Sequence, residues 1–276
     1  MQESDPERTG EAGESPSLTV EQAIANLNHE DTSLRYYAAW WLGKFQVREP
    51  AAIEALISAL EDEADRTELG GYPLRRNAAR ALGKLGDVRA VPGLIKCLDC
   101  SDFYVREAAA QSLGDLGDPS CIPVLEQLLS GGLAAAVLVP GRPHLAQPYE
   151  AVMEALGTLG AKTAIPLIQP FLEHPVPRVQ YSATRAMYQL TQEAIYGERL
   201  VQALSGNDIQ LRRVALSDLG AIGYLPAAEA IASSATENSF KLIALKGILE
   251  HQLNPETPQA LNDAAIRVMT LMDSLL

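Results

Sequence analysis

Apolar and polar positions along this chain repeat on two scales. Locally, a small or β-branched residue stands four places before a larger apolar one: Ala38 and Leu42, Ala78 and Leu82, Ala109 and Leu113, Val152 and Leu156, Ala183 and Met187, Ala215 and Leu219. One-turn spacing of this kind draws a narrow apolar stripe along a helix and lets a neighbouring helix approach closely. On the longer scale, each pair precedes a shared position occupied by Gly43, Gly83, Gly114, Gly157, Tyr188 and Gly220, with Leu249 in a degenerate last copy. Most spacings lie near 31 residues, which suits a two-helix unit. The full motif reads Asp-x-x-Val/Leu-Arg-x-x-Ala-Ala-x-x-Leu-Gly-x-Leu-Gly-Asp-x-x-Ala-x-Pro-x-Leu. Its aligned glycine is expected to end the first helix in a left-handed conformation, and a proline such as Pro92, Pro123 or Pro166 to start the second.

Such pairs bury their apolar faces only against their neighbours, so the predicted fold is all-α: a right-handed α-solenoid of HEAT-like two-helix repeats over residues 18–276. No alternating strand pattern and no 18-residue apolar run competes with that reading. Residues 1–17 hold five acids against one arginine in a Ser/Gly/Pro-rich stretch and read as a disordered acidic tail. The formal charge of −13 argues against nucleic-acid binding, which needs a continuous basic face. Three cysteines and no charged-then-apolar leader point to the cytoplasm. Cys97-x-x-Cys100 has no second pair, and reads as a buried thiol beside a loop thiol rather than a metal or redox site.

Two insertions break the period. Gly43 to Gly83 spans 40 residues and Gly114 to Gly157 spans 43, which adds a polar segment at 63–72 and a segment from Gly131 to His144 between consecutive pairs. Insertions in a solenoid tend to emerge on one face, often the binding face. Aromatic residues are concentrated before either insertion, at Tyr36, Tyr37, Trp40 and Trp41. Other copies place Arg80, Gln111, Glu154, Arg185 and Ser217 where Trp40 stands, and Ala81, Ser112, Ala155 and Ala186 where Trp41 stands. The array needs neither indole for its core. One-turn spacing pairs Tyr36 with Trp40 and Tyr37 with Trp41. Each indole can bury on the order of 150–250 Å², so a cover is expected: helix 19–28 or the tail as a cap, a partner protein, or a flat conjugated ligand.

The run Tyr36-Tyr37-Ala38-Ala39-Trp40-Trp41-Leu42, the segment 62–76 and Cys100-Ser101-Asp102-Phe103-Tyr104-Val105-Arg106-Glu107 together resemble the E subunit of the E/F-type phycobilin lyases. The resemblance covers about residues 18–255. It implies a heterodimer with a homologous F-type subunit, phycocyanobilin as the bound substrate rather than a cofactor, and a cysteine of the phycocyanin α subunit as acceptor. No metal, membrane or nucleic acid is implied. In the reaction it implies, a thiolate adds to the ethylidene group of the first bilin ring, and hydrogen bonding to the pyrrole system activates that carbon. Orientation of a flexible tetrapyrrole can supply much of the rate gain.

A bilin carries two propionates, for which arginine forks are natural partners. Candidates are Arg35, Arg75 and Arg106 at one repeat position, with Arg66 and Arg76 nearby. Arg212 occupies the same repeat position, so an inter-repeat hydrogen-bonding role competes for Arg35 and Arg106, while Arg66 and Arg76 are less explained by the repeat. Tyr36, Tyr37, Trp40, Trp41, Tyr72 and Tyr104 are the candidate aromatic wall. Asp65 and Asp102 are candidates for contacting pyrrole nitrogens, with helix-capping roles as the competing reading. Three other functions compete with this reading. A HEAT-like di-iron hydroxylase needs several His-Glu pairs, and only His29-Glu30 has that order. A non-catalytic scaffold for phycobiliprotein assembly, or a lyase that also isomerises the bilin for another phycobiliprotein, remains an alternative.

Overall fold

The computed structural model describes residues 18–253 and 261–276; the expected acidic tail at 1–17 lies outside the described residues. Helices follow in the order α1 (Val20–Asn26), α2 (Thr32–Lys44), α3 (Pro50–Ala59), α4 (Pro73–Leu85), α5 (Val91–Cys97), α6 (Phe103–Leu116), α7 (Ile122–Leu129) and α8 (Gly132–Ala135). They continue with α9 (Tyr149–Thr158), α10 (Ile165–Ile168), α11 (Pro177–Thr191), α12 (Ala194–Ala203), α13 (Ile209–Ala221), α14 (Ala228–Ser233), α15 (Asn238–Gln252) and α16 (Asp263–Asp273). Among the described residues β structure is limited to one isolated bridge, Leu138 to Leu145, inside the second insertion. The two-helix solenoid anticipated from the repeat is the observed fold.

The motif helices α2, α4, α6, α9, α11, α13 and α15 pack successively against one another in one layer, and the second helices of the pairs form the other. Prolines open α5, α7 and α10 as expected, each at the first or second helical position. The aligned glycines, however, do not end their helices. Gly43, Gly83, Gly114, Gly157 and Gly220 are buried inside them, and the left-handed turn falls three residues later, on Gly86, Gly117, Gly160 and Gly223. Gln46 has a positive φ at the same place in the first copy, and Gln192 has one four residues after Tyr188.

The aligned glycine instead sets the distance between layers of the stack. A Cβ on Gly43 would sit 2.8 Å from the Ala81 Cα, and one on Gly114 would sit 2.9 Å from the Ala155 Cα. Gly83 faces Ser112 and Gly157 faces Ala186 in the same way. Each glycine therefore meets the small residue two places before the next copy's glycine, backbone against backbone. That explains how Trp41 is accommodated at the small-residue position. α2 is the first motif helix, so no earlier glycine presses on it, and the indole lies half-buried against the core.

Candidate functional site

Three adjoining cavities run across the N-terminal ends of α2, α4, α6 and α9. The first, about 350 Å³, is lined by Thr32, Ser33 and Tyr36 on one side and Asp65, Arg66 and Thr67 on the other. It shares Thr67 and Pro73 with a second, about 440 Å³, whose walls include Arg76, Arg106, Arg142 and Tyr104. The second shares Phe103, Tyr104 and His144 with a third, about 260 Å³, that ends at Glu107, Glu150 and Arg178. Both insertions line the middle cavity: Thr67 and residues 69–72 from one, Val139, Arg142 and His144 from the other. His144 is held there by stacking on Phe103, with ring centroids 4.0 Å apart and planes 11° from parallel. Ligand pockets commonly measure about 300–1,000 Å³, so the groove is in the range for a small organic ligand.

The arginines divide into committed and uncommitted sets. Arg35 binds the Leu27 carbonyl and Asp62; Arg106 donates to the carbonyls of Cys100 at 2.6 Å and Ala146 at 3.0 Å; Arg212 donates to Gly206 and Ala235. Gln180 takes the same place in its copy and donates to the His174 carbonyl, so in α2, α6, α11 and α13 this repeat position ties the motif helix to the loop before it. Arg75 is likewise spent on the Glu61 and Asp62 carbonyls and on Glu63, with its guanidinium 4.3 Å from the centre of the buried Tyr72 ring. By contrast Arg66, Arg76 and Arg142 make no ion pair among the described residues, and the Arg76 Nε is buried without a partner. All three line the groove.

Asp65 and Asp102 lie in the groove wall with their carboxylates turned to backbone. In α4 the copy has Gly71 where other motif helices place a capping aspartate such as Asp31, Asp102 or Asp208. Asp65 from the insertion replaces it and accepts from the Leu74 N–H, while Asp102 caps α6 through Tyr104 N at 2.8 Å and also accepts from Tyr72 N at 2.8 Å. An acid at a helix N-terminus is stabilised by the free N–H groups there. Burial pushes the Asp65 carboxyl above the usual range, against the pull of the Leu74 N–H and of Arg35.

The aromatic run forms different pairs from those expected. Tyr37 packs against Trp40 with centroids 5.4 Å apart and planes tilted by 32°, and Trp41 against Phe45 at 4.9 Å and 45°. At 3.6 residues per turn, i,i+3 and i,i+4 neighbours both meet, and here the first tyrosine of the run is left facing the groove. With α1 in place, Tyr36, Tyr37 and Trp40 remain 39%, 45% and 42% exposed. The N-terminal helix is therefore not their cover.

Several groove residues escaped the sequence reading: Phe103, Arg142, His144, Glu107, Glu150 and Arg178. Glu107 and Glu150 were detectable, since both stand seven places before the aligned glycine, the position of Tyr36 and Arg76. Burial pushes both carboxyls up, partly offset by Arg80, Arg178 and Arg76 around Glu107 and by Arg178 at Glu150. Cys97 is buried, and its thiol is pushed up to about 12, chiefly by desolvation, which makes it a poor nucleophile. Among the described residues no three His, Cys, Asp or Glu side chains converge in a way that could hold a metal ion.

Known proteins with this arrangement are recognisable. HEAT repeats match residues 72–135, and the PBS lyase HEAT-like repeat matches 34–62 and 148–174. A phycocyanobilin lyase subunit alpha from Nostoc sp. (strain PCC 7120) is 72% identical over 262 residues, covering 95% of both chains. Another, from Microchaete diplosiphon, is 67% identical over 94% of this chain and 90% of that one. The solved complex of CpcE and CpcF of phycocyanin lyase from Nostoc sp. contains a chain 70% identical, matched with a TM-score of 0.88 over 99% of this chain and 100% of that one. Repeat, groove and whole-chain identity agree: the chain belongs to the phycocyanobilin lyase alpha-subunit family.

Proposed function

We propose that this chain is the E-type half of a heterodimeric bilin lyase that attaches phycocyanobilin through a thioether to a cysteine of the phycocyanin α subunit. The relatives are named phycocyanobilin lyase alpha subunits, and the related CpcE chain was solved in complex with CpcF, which supports an F-type partner here. The observation that carries the assignment to this groove is the set of three arginines without acidic partners among the described residues, Arg66, Arg76 and Arg142, beside exposed Tyr36 and Tyr104. A conjugated tetrapyrrole bearing two carboxylates needs flat apolar contact and guanidinium forks together. The acceptor supplies the nucleophile, so this chain's work is to hold the bilin in one pose and present its first ring. Among the described residues no helix is long and apolar enough to cross a membrane, which is compatible with action in the cytoplasm.

The test is bilin transfer by the purified pair to the apo α subunit, read as covalent pigment on the acceptor cysteine. Wild-type pair should modify the acceptor well above a control without enzyme, and each subunit alone should not. A pair that leaves the acceptor at the control level rejects the reading.

A further inference from the structure

Four carboxylates line the three cavities: Asp65, Asp102, Glu107 and Glu150. Asp65 and Asp102 are occupied by backbone N–H groups of Leu74, Tyr72 and Tyr104. Glu150 shares the Arg178 guanidinium at 3.2 Å. Glu107 has no hydrogen-bond or ion-pair partner among the described residues, although it is only partly exposed. Both glutamates stand on consecutive motif helices, α6 and α9, at the same repeat position, and both open into the cavity that adjoins the arginine-lined one through Phe103, Tyr104 and His144. Gln147 also lines this cavity, and its Oε1 is a buried acceptor without a partner among the described residues. The groove is thus polarised along its length, with uncommitted cations in the first two cavities and uncommitted carboxyl oxygen in the third.

We propose that Glu107, supported by Glu150, is the carboxyl that hydrogen-bonds the pyrrole nitrogens of the bilin, while Arg66, Arg76 and Arg142 hold its propionates. This rests on the lyase reading above and assigns a pose within it. An acceptor-only carboxylate suits N–H donors of the pyrroles, and a propionate placed beside the two glutamates would meet like charge. During addition the S–C bond forms at the ethylidene carbon and the double-bond electron pair moves into the ring system. Net, the thiol's proton ends on the adjacent ring carbon, and no oxidant or reductant is consumed. Glu107 stabilises the protonated, electrophilic form of the ring system through which that charge passes. The groups facing Glu107 are Arg76 and Arg80 from α4, Glu150 and Glu154 from α9, and Arg178 from α11; Arg178, Glu154 and Glu107 itself face Glu150. The balance of cations and acids around the pair is what sets its proton affinity.

The experiment uses the assembled pair with phycocyanobilin, comparing wild type with Glu107→Gln and Glu150→Gln. Bilin binding, the absorption band of the bound protonated chromophore against pH, and the transfer rate to the apo α subunit are read together. Glu107→Gln should bind bilin within threefold of wild type, lose the protonated band at a lower pH, and transfer at least tenfold more slowly. Glu150→Gln should shift both properties the same way by less. Wild-type transfer with an unchanged band in Glu107→Gln overturns the proposal, and so does loss of bilin binding in that variant, which would mark a structural role. Failure of the wild-type pair to bind or transfer bilin would instead count against the lyase reading.

Discussion

The stack from α2 to α11 and the stack from α13 onward are built from one repeat but joined by a different contact. Within the first, glycine meets Ala or Ser at each step and one hydrophobic core runs from Ala23 to Leu190. At the α11/α13 step Tyr188 takes the glycine position and Asp218 the small-residue position, and a second, separate core begins at Leu200. Tyr188 packs edge-on against Tyr224, 5.4 Å between centroids, and a partly buried charge cluster fills the step: Arg185 reaches Glu154 at 3.2 Å and the buried Asp218 at 3.4 Å. The Asp218 Oδ2 and Arg185 Nε are buried without partners among the described residues. Contact through glycine is close but intolerant of volume, while contact through a large ring and a charge cluster leaves polar atoms unsatisfied. All three cavities of the groove belong to the closely joined stack, where backbone contact holds successive helix ends in register.

The largest expected effect breaks the close contact. Gly114→Val forces a branched side chain into the Ala155 backbone, at a cost of about 3 kcal/mol by the usual penalty for overpacking, measured by denaturant unfolding. Its counterpart at the open step, Tyr188→Phe, removes only a hydroxyl from a half-buried ring and should cost less than about 1 kcal/mol. Equal losses in the two variants would dissolve the distinction between the steps.

Next comes the division of labour. Arg76 and Arg213 occupy the same repeat position on either side of the open step, but Arg213 is paired with Glu237 and lies 4.8 Å from the Phe240 ring centre. Arg76→Ala should weaken bilin binding by about 2 kcal/mol, roughly thirtyfold, as expected for a charge-assisted hydrogen bond. Arg213→Ala should leave bilin affinity unchanged in a fluorescence titration. A comparable loss in both would move the site away from the closed stack. A smaller effect is expected from Trp40→Ala, which removes an exposed ring and should slow pigment transfer about tenfold, near 1.4 kcal/mol in the barrier, with helicity intact. Association with the F-type subunit must be measured in the same variant, since lost pairing would mimic a lost site.

The repeat was legible because small and apolar residues keep strict register over six copies, and the two-helix solenoid follows from that period alone. The role of its glycine was not, since a buried glycine and a helix-ending glycine lie only three residues apart, as Gly83 and Gly86 do, and share the same local context. Of the expected site residues, Tyr36, Asp65, Arg66, Tyr72, Arg76, Asp102, Tyr104 and Arg106 line the groove while Tyr37, Trp40, Trp41 and Arg75 line none of its three cavities, and the sequence does not reveal which groups are free. Arg75 and Arg76 are neighbours in the chain; one is consumed by Glu63 and two carbonyls, the other is not. Capping by Asp65 depends on Gly71 having replaced the usual aspartate, and Arg142 and His144 reach the groove only through the folding of an irregular insertion onto Phe103.

The subtlest effect sharpens the open step itself. Asp218 is fully buried at a position where the other steps carry Ala or Ser, and its carboxyl is raised from an ordinary 3.8 to about 7, first by desolvation and then by Glu154, against the opposing pull of Arg185. A carboxyl whose folded value exceeds its unfolded one holds more protons in the folded state across the interval between them. Folding stability must therefore fall as pH rises from about 4 to about 7, and level off beyond. Asp218→Asn removes this titration, keeps an oxygen for Arg185 and leaves Glu154 as its counter-charge. Relative to wild type, the variant should gain on the order of 1 kcal/mol between pH 5 and pH 8, with the difference growing across that window. Denaturant unfolding of both proteins at several pH values measures it. A pH-independent difference would mean that the carboxylate stays ionised throughout and that Arg185 compensates its burial, which would make the open step as well satisfied as the closed ones.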